Sequence, residues 1–405
     1  METQYQPSFR VVQEAFSEIR EMVRLQMRGA AMSMITELFA AEVEELCGPR
    51  HSRKLGNKKH RGGSDPGSVL LGGQRLAVRK PRVKSEGQDV ELMSYTALQD
   101  YDMLCDRVMK HMIAGVSTRD YEPLLEDMKN GLGLKKSSVS KAFVKSSKEH
   151  LELINGRDLS EAEYCAILID GIRFGDRTVL VALGIQTDGN KLVLGLREGN
   201  TENGEICRDL LESLKERGLD TSSPILFVID GSKALRSGIE RSCGGHHPIQ
   251  RCTVHKLRNL MEYLPQEHHP ELARRWKRLH GCVDYITAKK EHDALLYWLS
   301  QINHQASKSL EEAEMETLTV IQLKIPGKLR RSLHSTNPIE SLFGRVSAKT
   351  SRVKNWKSSP DQVSRWAATT LLDAEKRFKK VFGWRELPLL LAELRKEVEL
   401  ESKTA

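Results

Sequence analysis

The sequence predicts a mixed α/β core set between helical regions, and three observations carry that expectation. Four short runs rich in Val, Ile and Leu, at 164–169, 178–185, 191–196 and 225–229, have the length and composition of buried strands. Helical stretches at 205–217 and 233–242 flank the fourth run, an alternation that builds a sheet covered by helices. Outside 164–264 the apolar residues recur at helical spacing instead.

The elements follow in chain order. Val12, Phe16, Ile19 and Val23 lie at the spacing of a helix seam, and the pattern resumes through Met34, Leu38 and Val43. It stops at Gly48-Pro49, a helix-ending pair. Between 50 and 84 eleven Lys and Arg residues stand against one acid, Asp65. Inside that segment Val69–Leu71 and Arg75–Val78 flank Gly72-Gly73-Gln74, a small β-hairpin. So many cations repel one another unless an anion neutralises them. A solvated basic loop and a basic ribbon beside DNA are both open readings. Residues 116–128 read as a capped helix with Leu124, Leu125 and Met128 on its apolar face. A turn with Gly131 and Gly133 follows, then a second helix beginning at Lys135. That is the pattern of a helix-turn-helix, in which Lys135, Lys136, Ser138 and Lys141 would face the major groove; an ordinary helical hairpin shares it. After Leu264-Pro265 the chain turns helical and polar as far as Ile325-Pro326-Gly327. It closes in a Lys/Arg-rich helical tail carrying Trp356, Trp366 and Trp384.

Composition narrows the class. The 405 residues include 63 Lys and Arg against 55 Asp and Glu, a net charge of +8, with 29% charged and 5% aromatic residues. That excludes collagen-like and mucin-like chains, and no apolar run reaches the roughly 18 residues of a spanning helix. The opening METQYQPSFR lacks the apolar core of a secretory signal. Seven cysteines, an odd number, form no secreted disulfide framework. The expectation is a cytoplasmic protein with a polyanionic partner and no membrane association.

Three carboxylates stand out. The runs at 166–169 and 226–229 both lead into Asp-Gly, at Asp170-Gly171 and Asp230-Gly231. A carboxylate at the C-terminal end of a buried strand projects into the crevice where open α/β sheets bind ligands. Two on neighbouring strands repel unless a divalent cation lies between them, and magnesium suits all-oxygen ligands. Asp-Gly is also a common turn. Glu340 follows Thr336-Asn337-Pro338, cap and first-turn residues of a helix, so simple capping chemistry is its bland reading. Its basic surroundings, Arg330, Arg331, Arg345, Lys349 and Arg352, favour metal-binding carboxylates acting on phosphodiesters instead.

At these residues the sequence resembles the Mutator-type transposases of bacterial insertion sequences, DDE enzymes with a ribonuclease-H-like core. The resemblance rests on Asp230-Gly231-Ser232-Lys233, on Gln250-Arg251-Cys252-Thr253-Val254-His255, and on Asn337-Pro338-Ile339-Glu340-Ser341. Ala234 departs from the glycine usual there. The resemblance implies a DDE triad of Asp170, Asp230 and Glu340 holding two Mg2+ ions, replaceable by Mn2+. It also implies strand cleavage at terminal inverted repeats, strand transfer into target DNA, and a homodimer on double-stranded DNA. It divides the chain into a helical, basic region (1–95), a helix-turn-helix-like domain (96–155), a catalytic core (156–264), a helical insertion (265–330) and the glutamate helix with the C-terminal helices (331–405). Two Cys-x-x-His pairs, Cys243/His246 and Cys252/His255, suggest zinc, but only five residues separate them, too short a span for a finger. Arg251, His255, Lys256 and Arg258 are expected at DNA near the cut, with Arg330, Arg331 and Arg345 as further contacts. Cys252 and Asn337 are expected to be structural members of their motifs. A DNA-binding regulator with an inactive core and a structure-selective nuclease are the rival readings.

Overall fold

The computed structural model of the chain describes residues 29–50, 59–71, 74–99, 109, 113, 136–199, 204–313 and 315–404. The seam at 12–23, the first helix and turn of the helix-turn-helix candidate, and Lys135 lie outside these residues. The chain divides into two compact units, Met1–Met112 with Val116–Phe143, and Ile113–Gly115 with Val144–Ala405.

In the first unit helix α1 covers 29–47 and ends at Gly48, whose φ of 80° is open to glycine. Strands β1 (Lys59–Leu71) and β2 (Gln74–Ser85) pair antiparallel with Leu71 opposite Gln74, β3 (Gln88–Val90) adds a short third strand, and the short helix α2 (Met93–Ala97) follows. The hairpin foreseen at 69–78 is thus the tip of a much longer ribbon. Val69 and Leu76, paired across the ribbon, meet Ile35 and Phe39 of α1, and Val83 farther along meets Val43 and Cys47. The buried row of α1 lies one residue beyond the one read from Met34 and Leu38, which are 69% and 49% exposed. The i, i+4 series from Ile35 to Cys47 carries the aromatic ring and runs the length of the ribbon, so it wins the interface. Among the ribbon's cations, Arg82 is neutralised internally by Asp65 and Asp89.

The second unit is built on five strands. After helix α3 (Lys136–Asn155) come β4 (Tyr164–Phe174), β5 (Arg177–Gln186) and β6 (Lys191–Gly199), an antiparallel meander. Helix α4 (Gly204–Glu216) then carries the chain from the edge to the far side of β4. There β7 (Leu226–Ile229), helix α5 (Lys233–Cys243) and β8 (Ile249–Arg251) follow. The strand order is β6-β5-β4-β7-β8, with β7 and β8 parallel to β4. The fold class is therefore mixed α/β, as expected. β8, only three residues long, left no readable pattern.

The two-residue period sorts the core. Ile167, Ile169, Leu180, Phe227 and Ile229 face α4 and α5. Ala166, Leu168, Val179 and Val181 face the other way, into a larger core shared with the helices that follow. These include α6 (Thr253–Glu262), α7 (His269–His280), α8 (Tyr285–Ile302), α9 (His304–Glu312), α10 (Thr319–Gln322) and α11 (Gly327–Leu333). They are completed by α12 (Asn337–Thr350), α13 (Gln362–Glu375) and α14 (Leu387–Thr404). Leu272, Leu295, Leu310, Val346, Ala367 and Leu390 belong to one cluster, so the helical insertion and the C-terminal helices bury their apolar faces together. Trp356 covers the β4–β5 turn at Gly175, packing edge-on against Phe174 at 5.1 Å and against Trp366 at 6.3 Å. Among the described residues no helix is long and apolar enough to cross a membrane.

Candidate active site

β4 does not end at Asp170-Gly171. It continues to Phe174, with Asp170 opposite Val181 of β5, while β7 stops at Ile229. Ile169 pairs with Ile229, so Asp170 and Asp230 are the next residues on two adjacent parallel strands. The turn signal at Asp170 was misleading because the glycine continues a strand. At Asp230 it was sound: Oδ1 accepts the Ser232 N–H at 2.9 Å, and Ser232 caps α5. Gly231, at φ 104°, lies so close to Arg251 that a Cβ there would stand 2.1 Å from its Nε.

Asp170 is 7% exposed, and its Oδ1 accepts the Gly171 N–H at 2.8 Å. Burial pushes its carboxyl up to about 7; the Gly171 hydrogen bond opposes this, and the charges of Asp230 and Glu340 reinforce it. Those couplings place the three carboxylates in one electrostatic neighbourhood. Glu340 sits in the first turn of α12, which packs on β4. Thr336 occupies the N-cap position, but its side chain does not cap. Its hydroxyl instead faces Glu340 Oε1 at 3.1 Å, Cys252 Sγ at 3.4 Å and His255 Nδ1 at 3.4 Å.

Cys252 is the N-cap of α6, and its sulfur accepts the His255 N–H at 3.5 Å and the Thr336 N–H at 3.3 Å. Burial pushes the thiol up, but hydrogen bonds from His255 and Thr336 outweigh it and bring the group below its ordinary value. His255 is raised to about 9, first by its hydrogen bond with Cys252 and further by the charges of Cys252, Asp170 and Glu340, against burial. Its Nε2 lies 3.7 Å from Glu340 Oε1. The structure therefore brings His255 to the carboxylates. Sequence reasoning missed Thr336 as the link, because a threonine before Asn-Pro reads as an ordinary cap.

Arg251 and Lys256 are buried. They are 6% and 1% exposed, and both turn inward to Glu312, at 2.9 and 3.4 Å. Lys256 Nζ also donates to the Ser309 carbonyl at 2.7 Å. Burial and the nearby Arg251 lower the Lys256 amine to about 8, against the pull of Glu312. Arg258, one turn beyond His255, is exposed, as are Arg331, Arg345, Asn337 and Lys141. Arg330 is half-buried and donates to the Cys282 carbonyl at 2.7 Å. Lys136 and Ser138 lie in α3, with their side chains outside the described set. The two Cys-x-x-His pairs do not converge. Among the described residues, the metal-capable group of three is Cys252, His255 and Glu340. Cys243 lies in the α4/α5 core, and His246 Nε2 is bonded to the Thr221 carbonyl.

The family profile described as "Transposase, Mutator family" matches residues 7–380. The chain belongs to the Mutator family of transposases. Among similar proteins, the transposase of insertion sequence element IS905 from Lactococcus lactis is 25% identical over 384 residues, covering 90% of this chain and 93% of that protein. The transposase of IS1201 from Lactobacillus helveticus is 25% identical over 358 residues, 84% of this chain and 91% of that one. The transposase of IS6120 from Mycolicibacterium smegmatis is 28% identical over 248 residues, 59% of this chain and 75% of its own length. A transposase acts on DNA, and the positive balance of this chain suits that partner.

Proposed function

We propose that this transposase binds the terminal inverted repeats of its insertion sequence and performs metal-dependent strand cleavage and strand transfer through Asp170, Asp230 and Glu340. The core would be of the ribonuclease-H-like kind, a reading supported by its antiparallel meander continued by two parallel strands. The observation that carries the proposal is the register: paired Ile169 and Ile229 deliver two carboxylates side by side, where the buried Asp170 feels both Asp230 and Glu340.

The donor set fits a hard divalent cation. All three groups offer oxygen, and the burial and repulsion that raise Asp170 to about 7 are relieved by positive charge among them. Magnesium held by Asp170, Asp230 and Glu340 would supply Lewis-acid stabilisation at the phosphodiester and make water or a 3′-hydroxyl more acidic. The chain's own groups do the rest. Asp230 is fixed by the Ser232 N–H, and Glu340 by the Thr336 hydroxyl. His255, held protonated beside Glu340, offers a cationic N–H to a DNA phosphate, and the exposed Arg258 and Arg345 extend the positive field. Repeat recognition is assigned to the N-terminal region with its basic ribbon, and pairing of two DNA ends to a homodimer.

The test uses the full chain with Mg2+ and repeat-end DNA. Asp170→Asn, Asp230→Asn and Glu340→Gln keep shape but remove one charge each. Each should lower cleavage and joining by at least about 10²-fold, since the interactions lost are worth several kcal/mol of barrier. Repeat binding in a gel shift should persist. Near-normal joining by any folded variant removes that residue from the triad, and cleavage without joining in the unsubstituted protein points to a nuclease.

A further inference from the structure

Beside the carboxylates lies a second donor set of different chemistry. Cys252 Sγ, a His255 ring nitrogen and a Glu340 oxygen all lie within 4.8 Å of one another. The Thr336 hydroxyl stands among them, 3.4 Å from Cys252 Sγ, 3.4 Å from His255 Nδ1 and 3.1 Å from Glu340 Oε1. His255 Nε2 and Glu340 Oε1 are 3.7 Å apart. Ligands around a tetrahedral zinc ion, at their usual bond lengths, stand about 3.3–3.6 Å from one another. Of the three edges between these ligands, that from His255 Nε2 to Glu340 Oε1 is near this length, and the two to Cys252 Sγ are within 4.8 Å. Cys252 and Thr336 are fully buried, while the side chains of His255 and Glu340 are each 29% exposed, so the set is closed behind and open in front.

We propose that Cys252, His255 and Glu340 form a binding site for one soft divalent cation of the zinc class, and that its occupation withdraws Glu340 from the all-oxygen site. Sulfur and imidazole select such an ion over magnesium, whereas Asp170 and Asp230 offer only oxygen. The two sites share one carboxylate, and an ion held by sulfur and imidazole competes for it. Occupation of the site would displace the protons of both Cys252 and His255. The second half of the proposal rests on the catalytic reading of Glu340; the first half does not.

Cobalt(II) is the probe, added to the full chain after chelator washing. One equivalent should give the thiolate-to-cobalt charge-transfer band with tetrahedral d–d absorption, and zinc should displace it. Cys252→Ser retains a good N-cap for α6, so the variant should fold, and the charge-transfer band should vanish. Cys243→Ser, in the opposite core, should keep it. Glu340→Gln should weaken cobalt binding by about 10–100-fold, at least what loss of an outer-shell partner costs. His255→Asn serves as a second ligand variant, expected to lose the tetrahedral spectrum. No band in the unsubstituted protein, or a band unchanged in both Cys252→Ser and His255→Asn, overturns the site. In strand transfer with Mg2+, zinc should inhibit the unsubstituted protein at a concentration at least about tenfold below that needed for Cys252→Ser. A normal cobalt spectrum without zinc inhibition would keep the site and overturn its hold on Glu340.

Discussion

Glu312→Gln tests whether Arg251 and Lys256 are internal supports. One Glu312 oxygen faces Arg251 Nη2 at 2.9 Å and Lys256 Nζ at 3.4 Å, and the two cations are 8% and 1% exposed at their side chains. Removing the charge leaves two buried cations facing each other. Breaking a fully buried pair costs about 3–5 kcal/mol. Glu312 is 36% exposed, so water screens part of the interaction and about 2–4 kcal/mol is expected. A loss of that size lowers the melting temperature of a unit this large by about 5–15 °C.

The pH dependence gives an independent reading. Lys256 titrates at about 8 in the fold, against 10.5 for the free side chain. Its folded value is depressed, so its contribution to stability rises with pH through that window, as the folded state sheds its proton first. Without Glu312 the amine falls further, and the deficit of the variant should shrink between pH 7 and pH 9. Adding Lys256→Met to Glu312→Gln should recover about half of the loss. Differential scanning calorimetry of the full chain measures all of this. If Glu312→Gln melts within about 1 °C of the unsubstituted protein, while Lys256→Met lowers the salt slope of DNA binding by about 0.9, the buried placement is wrong. Lys256 would then be a phosphate contact.

Acid should weaken the fold through two buried histidines. Burial lowers His280 to about 3 and His247 to about 4, so each is uncharged in the fold and must take up a proton on unfolding below pH 6.5. Stability should fall by up to about 1.4 kcal/mol per pH unit for each as pH drops from 6.5 to 4, and His280→Gln should flatten the curve in urea titrations. Asp170 acts with the opposite sign: raised to about 7, it contributes stability below 3.8 that is lost as pH climbs through 7. Asp170→Asn should therefore raise metal-free stability at pH 8 by about 2–4 kcal/mol, and Mg2+ should narrow the gap by stabilising only the unsubstituted chain. Leu168→Ala, in the face shared with the helices, should cost about 2–5 kcal/mol in the same urea titration.

The strands from 164 to 229 were legible because Val, Ile and Leu runs with short connections have few other uses. Asp170 and Asp230 were legible as carboxylates following such runs, although the first lies inside its strand. The fates of Arg251 and Lys256 were not. Lys256, early in a helix, reads as surface, Arg251 ends a strand too short to show a pattern, and nothing local to 251–256 announces an acid at 312 that draws both inward. The same limit hid the role of Thr336. Its position before Asn-Pro marks a helix start, but only the fold brings Cys252 and His255, more than eighty residues earlier, against its hydroxyl. Met34 and Leu38 failed differently: adjacent rows of one helix were both apolar, and the ribbon chose between them.

The placement of Glu340 follows from how β7 ends. Once β7 stops at Ile229, the side of β4 from Asp170 onward has no strand beside it, and helix starts come in. Cys252 begins the link by donating its N–H to the Ile229 carbonyl at 2.7 Å. Its sulfur then accepts the Thr336 N–H at 3.3 Å, and the Thr336 hydroxyl reaches Glu340 Oε1 at 3.1 Å. The Thr253 N–H to the His334 carbonyl, at 3.0 Å, runs alongside as a second tie. Three bonds therefore measure the distance from the end of one carboxylate strand to the third carboxylate. A substitution at Cys252 that shifts α6 carries Glu340 with it relative to Asp230, and on the proposed triad about 1 Å of misplacement would cost about 10²-fold in rate. In the proposed mechanism the Cys-x-x-His element would act on the chemistry through the position it gives Glu340.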